Sequence, residues 1–301
     1  MFRLDSRLVL TNPPCADTPF ATEGRELAKL LRAKAPEDEI QPIIDKIHSA
    51  ALDLSLDPMV SSTDVFVTAV LHVGSKSLSH VLAAIERTKD RLLSAGAASE
   101  AARTQIIAAV MAYWSAQPGV ALCIVEKLLN YGIVSPQSVA QWALVAHAGA
   151  TKGRSLSESY VFELVFNTVT KVTSRVHQVV RKAAQPEDTV HMDVDDGSGS
   201  SAANDPEATR DSEVRAMREL FRALDDALVS WASGTKDELV EDVGGNENAH
   251  AEQQKLVERW GKRWQRVFRR RAAIEESFVL EAAKNRAAGG PAPASEALGQ
   301  A

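Results

Sequence analysis

Cysteine is nearly missing from this chain, with Cys15 and Cys123 the two among 301 residues. Two thiols so far apart supply neither a disulfide framework nor the paired spacing of a zinc site. Cys123 falls in the apolar run VALCIVEKLL, which predicts a buried free thiol and a reducing compartment. Long hydrophobic runs are missing too: no stretch approaches the roughly 18 apolar residues that a membrane-spanning helix needs. The opening MFRLDSRLVLTNPPCADTPF lacks the basic end and apolar core of a secretory signal. Positive charge is not in excess either. A net charge of −6 argues against the whole chain being a nucleic-acid clamp, while leaving room for a local basic patch.

The residue patterns of catalysis are equally scarce. Gly74-Ser-Lys76-Ser77 has the composition of a phosphate loop without its upstream spacing, and Gly149–Arg154 (GATKGR) reads as a turn. The seven histidines form no i, i+4 pair and no HExxH. His72 and His80 flank a turn and are expected in structural hydrogen bonds, and His177, with basic neighbours, in a solvated position. Asp188, Asp193, Asp195 and Asp196 lack the glycine and terminal glutamate of a calcium loop. No serine sits in GxSxG. No enzyme, metal, cofactor or small-molecule substrate is expected.

What the chain does have is helical periodicity, repeated between short breaks. Thr22 can cap a first segment carrying Leu27, Leu30 and Leu31, and a second runs from Glu37 to about Leu54. Asp64 is read as opening a third, closed by Gly74, and Ser77 or Ser79 a fourth that continues past Leu92 to Gly96. A fifth, Ala101 to Trp114, presents Ile106, Ile107 and Val110. Gln117-Pro118 and Ser135-Pro136 both read as helix starts with proline in the first turn, where its missing N–H goes unnoticed. The second of these leads to Val139, Trp142 and Ala143. Ser155 and Glu158 form a candidate capping box for a long helix to about Ala184, striped by Tyr160, Leu164, Thr168, Val172, Val176 and Val179.

The character then changes. Pro186 to Glu213 holds nine acidic residues against one arginine, with too little apolar surface to offset its chain entropy. Helix resumes from about Glu213 to Trp231, and a last helix spans about Asn248 to Asn285. The expected organisation is a flexible segment 1–21, a helical-repeat domain 22–285 with a disordered acidic insert 186–212, and a disordered tail 286–301. The expected fold is all-α, built of stacked antiparallel helical hairpins (HEAT-like) without a fixed-period sequence repeat.

One charged feature rises above background. Lys255, Arg259, Lys262, Arg263, Arg266, Arg269, Arg270 and Arg271 crowd into 17 residues against the single Glu258. Trp260, Trp264, Val267 and Phe268 recur at helical spacing and are expected to face inward. The cations then form either a solvated face or a docking surface for RNA or an acidic partner peptide.

Several stretches resemble one known family. DVFVTAVLHVGSKSLSHVLAAIERTKD from Asp64, YWSAQPGVALCIVEKLLNYGIVSPQSVAQWAL from Tyr113 to Leu144, and SYVFELVFNTVTKVTSRVHQVVRK from Ser159 to Lys182 are similar to the large subunits of the nuclear cap-binding complex. LAKLLRAKAPEDEIQPII fits their first hairpin, and Leu220 to Ala283 corresponds more loosely. The resemblance implies a fold like the middle domain of the translation-initiation scaffold, with this chain as the last of three such domains. It also implies a nuclear scaffold that supports a small RNA-recognition-type subunit and recruits RNA-processing and export factors. Capped RNA would then be met indirectly, because no strand here carries the aromatic platform of an RNA-recognition module. A generic helical adaptor in translation or mRNA decay, or a weak RNA binder acting through the basic last helix, are the alternatives.

Overall fold

A computed structural model describes residues 19–183, 206–234 and 247–288. Every regular element among them is helical, and the all-α architecture of antiparallel hairpins is the expected one. The expectations for residues 1–18, for the acidic insert from 186 to 205 and for the tail beyond 288 fall outside the described residues, as do Cys15, Asp188, Asp193, Asp195 and Asp196. The chain groups into two compact units, which meet in sequence at Ala146 and His147.

The first unit contains α1 (Ala21–Ala33), α2 (Glu37–Asp53), α3 (Pro58–Gly74), α4 (Leu78–Arg87), α5 (Lys89–Ala98), α6 (Glu100–Tyr113), α7 (Pro118–Asn130) and α8 (Pro136–Gln141). Helix α3 is its centre and packs against α1, α2, α4, α5 and α6. From Ser61 to Leu71 every residue of α3 is buried, as a helix enclosed on all sides requires. Its start corrects the sequence-based expectation. Asp57 caps it, its Oδ1 accepting from the N–H of Met59 and of Val60, and Pro58 opens the first turn. Asp64 lies inside the helix, where its Oδ1 accepts from Gln105 Nε2 of α6 at 2.8 Å.

Four further expectations change in detail. Helix α1 starts at Ala21 without a side-chain cap, so Thr22 sits in its first turn. The predicted fourth helix is two, α4 and α5, divided at Thr88, whose hydroxyl donates to the carbonyl of Ala84. Gly96 lies within α5, where it lets the helix pass the carbonyl of Ile133: a Cβ there would come 2.5 Å from that oxygen. Cys123 is exposed, the opposite of the predicted burial. Ala121, Ile124, Val125 and Leu128 turn one face of α7 inward, and Cys123 projects from the other.

Both proline-marked starts hold. Ser135 and Ser138 cap α8 reciprocally, and Gly132 has the left-handed φ of 71° expected after α7. A π-helical turn follows from Trp142 to His147, with Trp142, Ala143 and Leu144 buried.

The second unit contains a 3-10 turn (Arg154–Ser157), α9 (Ser159–Ala183), α10 (Pro206–Ala232) and α11 (Glu247–Ala287). The capping box does not form, because Ser155 is consumed by the 3-10 turn and its buried hydroxyl bonds to nothing. The buried stripe of α9 is Val161, Leu164, Val165, Thr168, Val169, Thr173, Val176 and Val180, rotated from the predicted one, so Tyr160, Val172 and Val179 are half-buried. Helix α10 begins at Pro206, earlier than the expected Glu213, with proline at its start and Glu207 in its first turn where the helix dipole favours a carboxylate. Ion pairs Glu207–Arg286, Arg218–Glu276 and Asp225–Arg269 run down the contact in opposite senses, so α10 and α11 are antiparallel.

A candidate basic interface on the last helix

The inner face of α11 is built on Trp264 and Phe268, as the spacing predicted, whereas Trp260 and Val267, expected beside them, are only half-buried at its edges. Trp264 and Phe268 are 2% and 3% exposed. Phe162 of α9 meets the Trp264 ring edge-on at 5.1 Å and the Phe268 ring at 5.9 Å. Gly261 allows the end of α10 to cross closely, since a Cβ there would lie 3.0 Å from the amide nitrogen of Ala232. Further along, Glu275 is buried between His177 of α9 and Arg271, at 2.6 Å from each, and Arg271 also donates to the Thr173 hydroxyl. His177 is therefore not solvated: it is half-buried, bonded to that carboxylate and packed against Phe278. The sequence separation of 98 between His177 and Glu275 hides this cluster from any local sequence pattern.

These inward contacts fix where the cations point. Lys255, Arg259, Lys262, Arg263, Arg266, Arg269 and Arg270 are all exposed, whereas Arg271 is drawn into the packed face. At 100° per residue the seven fall within an arc of roughly 120°, centred opposite Trp264 and Phe268. Arg269 closes one edge by its bidentate contact with Asp225 of α10 (2.6 and 3.0 Å). That contact holds the Asp225 carboxyl below its ordinary range and raises Arg269, the hydrogen bond being the main cause of both. Lys262 reaches Glu258 at 3.3 Å, and the guanidinium of Arg263 lies 5.2 Å from the Trp260 ring. Lys255, Arg259, Arg266 and Arg270 take no ion-pair partner among the described residues.

Such crowding disfavours the helix. Lys255–Arg259, Arg259–Arg263, Lys262–Arg266 and Arg266–Arg270 are like-charged i, i+4 neighbours, each destabilising by about 0.2–0.5 kcal/mol. The basic run is thus a real single-sign stripe.

The first unit offers a different feature, a cavity of about 800 Å³ lined by Ile40, Ile44, Phe66 and Val70 together with Arg91. His48 and Ser62 also line it, 2.8 Å apart. The Ser62 hydroxyl also lies 3.2 Å from the carbonyl of Met59, one turn back on the same helix, so it has a second hydrogen-bond partner besides the imidazole. His80 pairs with the Ser77 hydroxyl and His72 lies 3.4 Å from the Tyr113 hydroxyl, the structural roles expected of both. Among the described residues no group of three or more His, Cys, Asp or Glu is placed to hold a metal ion, and no helix is long and apolar enough to cross a membrane.

Nuclear cap-binding protein subunit 1 of Xenopus tropicalis is 25% identical over 190 residues, which is 60% of this chain and 23% of that protein. The Aedes aegypti protein of the same name is 26% identical over 193 residues, covering 62% of this chain and 23% of its own length. Subunit 1-A of Xenopus laevis is 23% identical over 190 residues. The matched stretch thus spans about a quarter of each relative. A model of the MIF4G-like family matches residues 15–277, through both compact units and most of α11, and the chain belongs to that family.

Proposed function

We propose that this chain is a scaffold segment of a nuclear cap-binding complex, acting in the nucleus on the maturation of capped transcripts. The observation that carries this reading is the coincidence of a MIF4G-like match over residues 15–277 with three relatives named as nuclear cap-binding subunit 1. The family's helical hairpins supply rigid outer faces and a buried interior, which suits a non-catalytic support. On this reading residues 22–285 act as one module that holds a small RNA-recognition-type subunit. Other faces recruit processing and export factors, and capped RNA is met through the small subunit.

The test is co-purification of the tagged chain with the small cap-binding subunit of the same organism. A stoichiometric complex that survives gel filtration supports the scaffold reading. Failure to associate, with the helical fold intact by circular dichroism, favours the generic adaptor.

A further inference from the structure

We propose that the outer face of α11 binds the phosphate backbone of RNA without reading its bases. This goes beyond the scaffold reading and does not depend on it. Lys255, Arg259, Lys262, Arg263, Arg266 and Arg270 are exposed on one helix, and Lys255 to Arg270 spans about 22 Å at 1.5 Å per residue. The stripe is of one sign. Glu258, itself shared with Lys262, is the one acid within the run, and Glu252 stands one turn before Lys255.

The chemistry selects the ligand. Four of these six cations are arginines, whose planar fork matches phosphate oxygens in bidentate fashion and is weakly hydrated. Four like-charged i, i+4 pairs oppose the helix, and among the described residues the Lys262–Glu258 contact and the stacking of Arg263 on Trp260 offset only part of that repulsion. A polyanion relieves that repulsion along the whole stripe at once. A folded protein partner is a poorer fit, because a protein interface needs an apolar or aromatic centre. On α11 the exposed large apolar side chains are Leu256 at the start of the stripe, 46% exposed, and Ile274 and Leu280 beyond its end, 38% and 52% exposed. Leu256 lies roughly 27 Å along the helix from Ile274 and further from Leu280, and none of the three lies at the middle of the stripe, where such a centre would be needed. Base recognition lacks its platform as well. Trp264 and Phe268 are buried, and Trp260 is half-buried with Arg263 over its ring.

The net charge of −6 does not oppose this. At physiological salt the screening length is about 8 Å, so a phosphate on α11 responds to the cations beside it and hardly to acids elsewhere on the chain.

The experiment uses the full chain, without any small subunit, and an uncapped fluorescein-labelled single-stranded RNA of about 20 nucleotides, followed by anisotropy between about 50 and 200 mM salt. Neutralising four or five phosphates predicts a slope of log K against log salt of about −3, at roughly −0.7 per phosphate. The triple variant R259Q/R266Q/R270Q is expected to bind at least about tenfold more weakly with a slope shallower by about 2, and with unchanged or improved thermal unfolding. The variant R215Q/R222Q, on the neighbouring helix, is expected to bind like the parent. Poly-U and a mixed sequence are expected to agree within about threefold, the mark of backbone contacts.

No binding at low salt, or equal binding by parent and triple variant, overturns the proposal. So does a tenfold preference for one base composition. Tighter binding of polyglutamate than of RNA also overturns it, and makes the stripe a surface for acidic proteins. None of these outcomes touches the co-purification test, so the two readings fail separately.

Discussion

Glu275 Oε2 sits 2.6 Å from His177 Nε2, joining α11 to α9 through a carboxylate that is 2% exposed. Arg271 Nε lies as close to the other oxygen, so one buried anion orders two basic side chains. Removing one member of a buried ionic group leaves the others desolvated and unpaired, which costs more than the pair itself contributes. Glu275→Ala is expected to lower stability by about 3 kcal/mol, and Glu275→Gln, which keeps an oxygen and the volume, by less. Urea unfolding of the three proteins checks this. Equal, small losses in both variants would mean that the cluster is solvated in solution.

The His72 imidazole is pushed below its ordinary pKa of 6.5, first by burial and then by the charge of Arg32. The neutral ring is therefore favoured in the folded state. Its contribution to stability is complete above the unfolded value and is lost as pH falls toward the lowered folded value. His72→Gln is expected to show a smaller loss of urea midpoint between pH 7.5 and pH 5.5 than the parent. Arg32→Gln should move in the same direction by a smaller amount, since burial is the larger cause. An identical pH dependence in all three would remove His72 as its source.

Glycine tests close approach in the first unit. Gly96→Ala drives a Cβ to 2.5 Å from the backbone oxygen of Ile133, which cannot swing aside as a side chain would. A loss of about 1–3 kcal/mol is expected. Gly119→Ala in α7 meets nothing within 4 Å and is expected to be neutral or to gain up to about 0.5 kcal/mol through helix propensity. Thermal unfolding of the two variants side by side decides it, and a comparable loss in both would refute the packing described at Gly96.

What was legible in the sequence depended on how far the determining contact lies along the chain. Pro118, Ser135 and Gly132 act on the backbone within one turn, and they mark helix ends correctly. The inward Trp264 and Phe268 follow from a single helix's own period, and so does the outward stripe of cations opposite them. Asp64 misled because its partner, Gln105, lies on another helix: a buried aspartate with a distant donor resembles a cap when only neighbours are visible. His177 misled for the same reason. Cys123 misled differently, since an apolar run does not say which of its members faces outward.

Trp142 carries the clearest stability prediction of the first unit. It is 4% exposed, at the start of the π-helical turn that follows α8. Trp142→Ala is expected to cost about 3–5 kcal/mol, the range for emptying a large aromatic site in a packed core. A change under about 1 kcal/mol would place the ring at the surface and make it a candidate partner anchor instead.

The chain alone is expected to show no preference for a methylated cap analogue over plain GTP. Discrimination of a methylated, cationic base requires aromatic rings free to sandwich it, with polar groups at the base edge. Trp142, Trp231 and Trp264 are 4% exposed or less, and Trp114 is half-buried with Tyr113 edge-on against it at 5.6 Å. Trp260 is half-buried and already carries Arg263, while Lys89 and Lys127 cover Tyr131. The cations of α11 will attract any triphosphate, so weak binding by itself decides nothing, and the ligands must be matched in charge. Titration by tryptophan quenching or calorimetry, with the small subunit absent, gives the comparison. Equal affinity for the two ligands fits a scaffold that leaves cap recognition to its partner. A clear preference for the methylated one would show that this chain reads the base, and would overturn the scaffold reading.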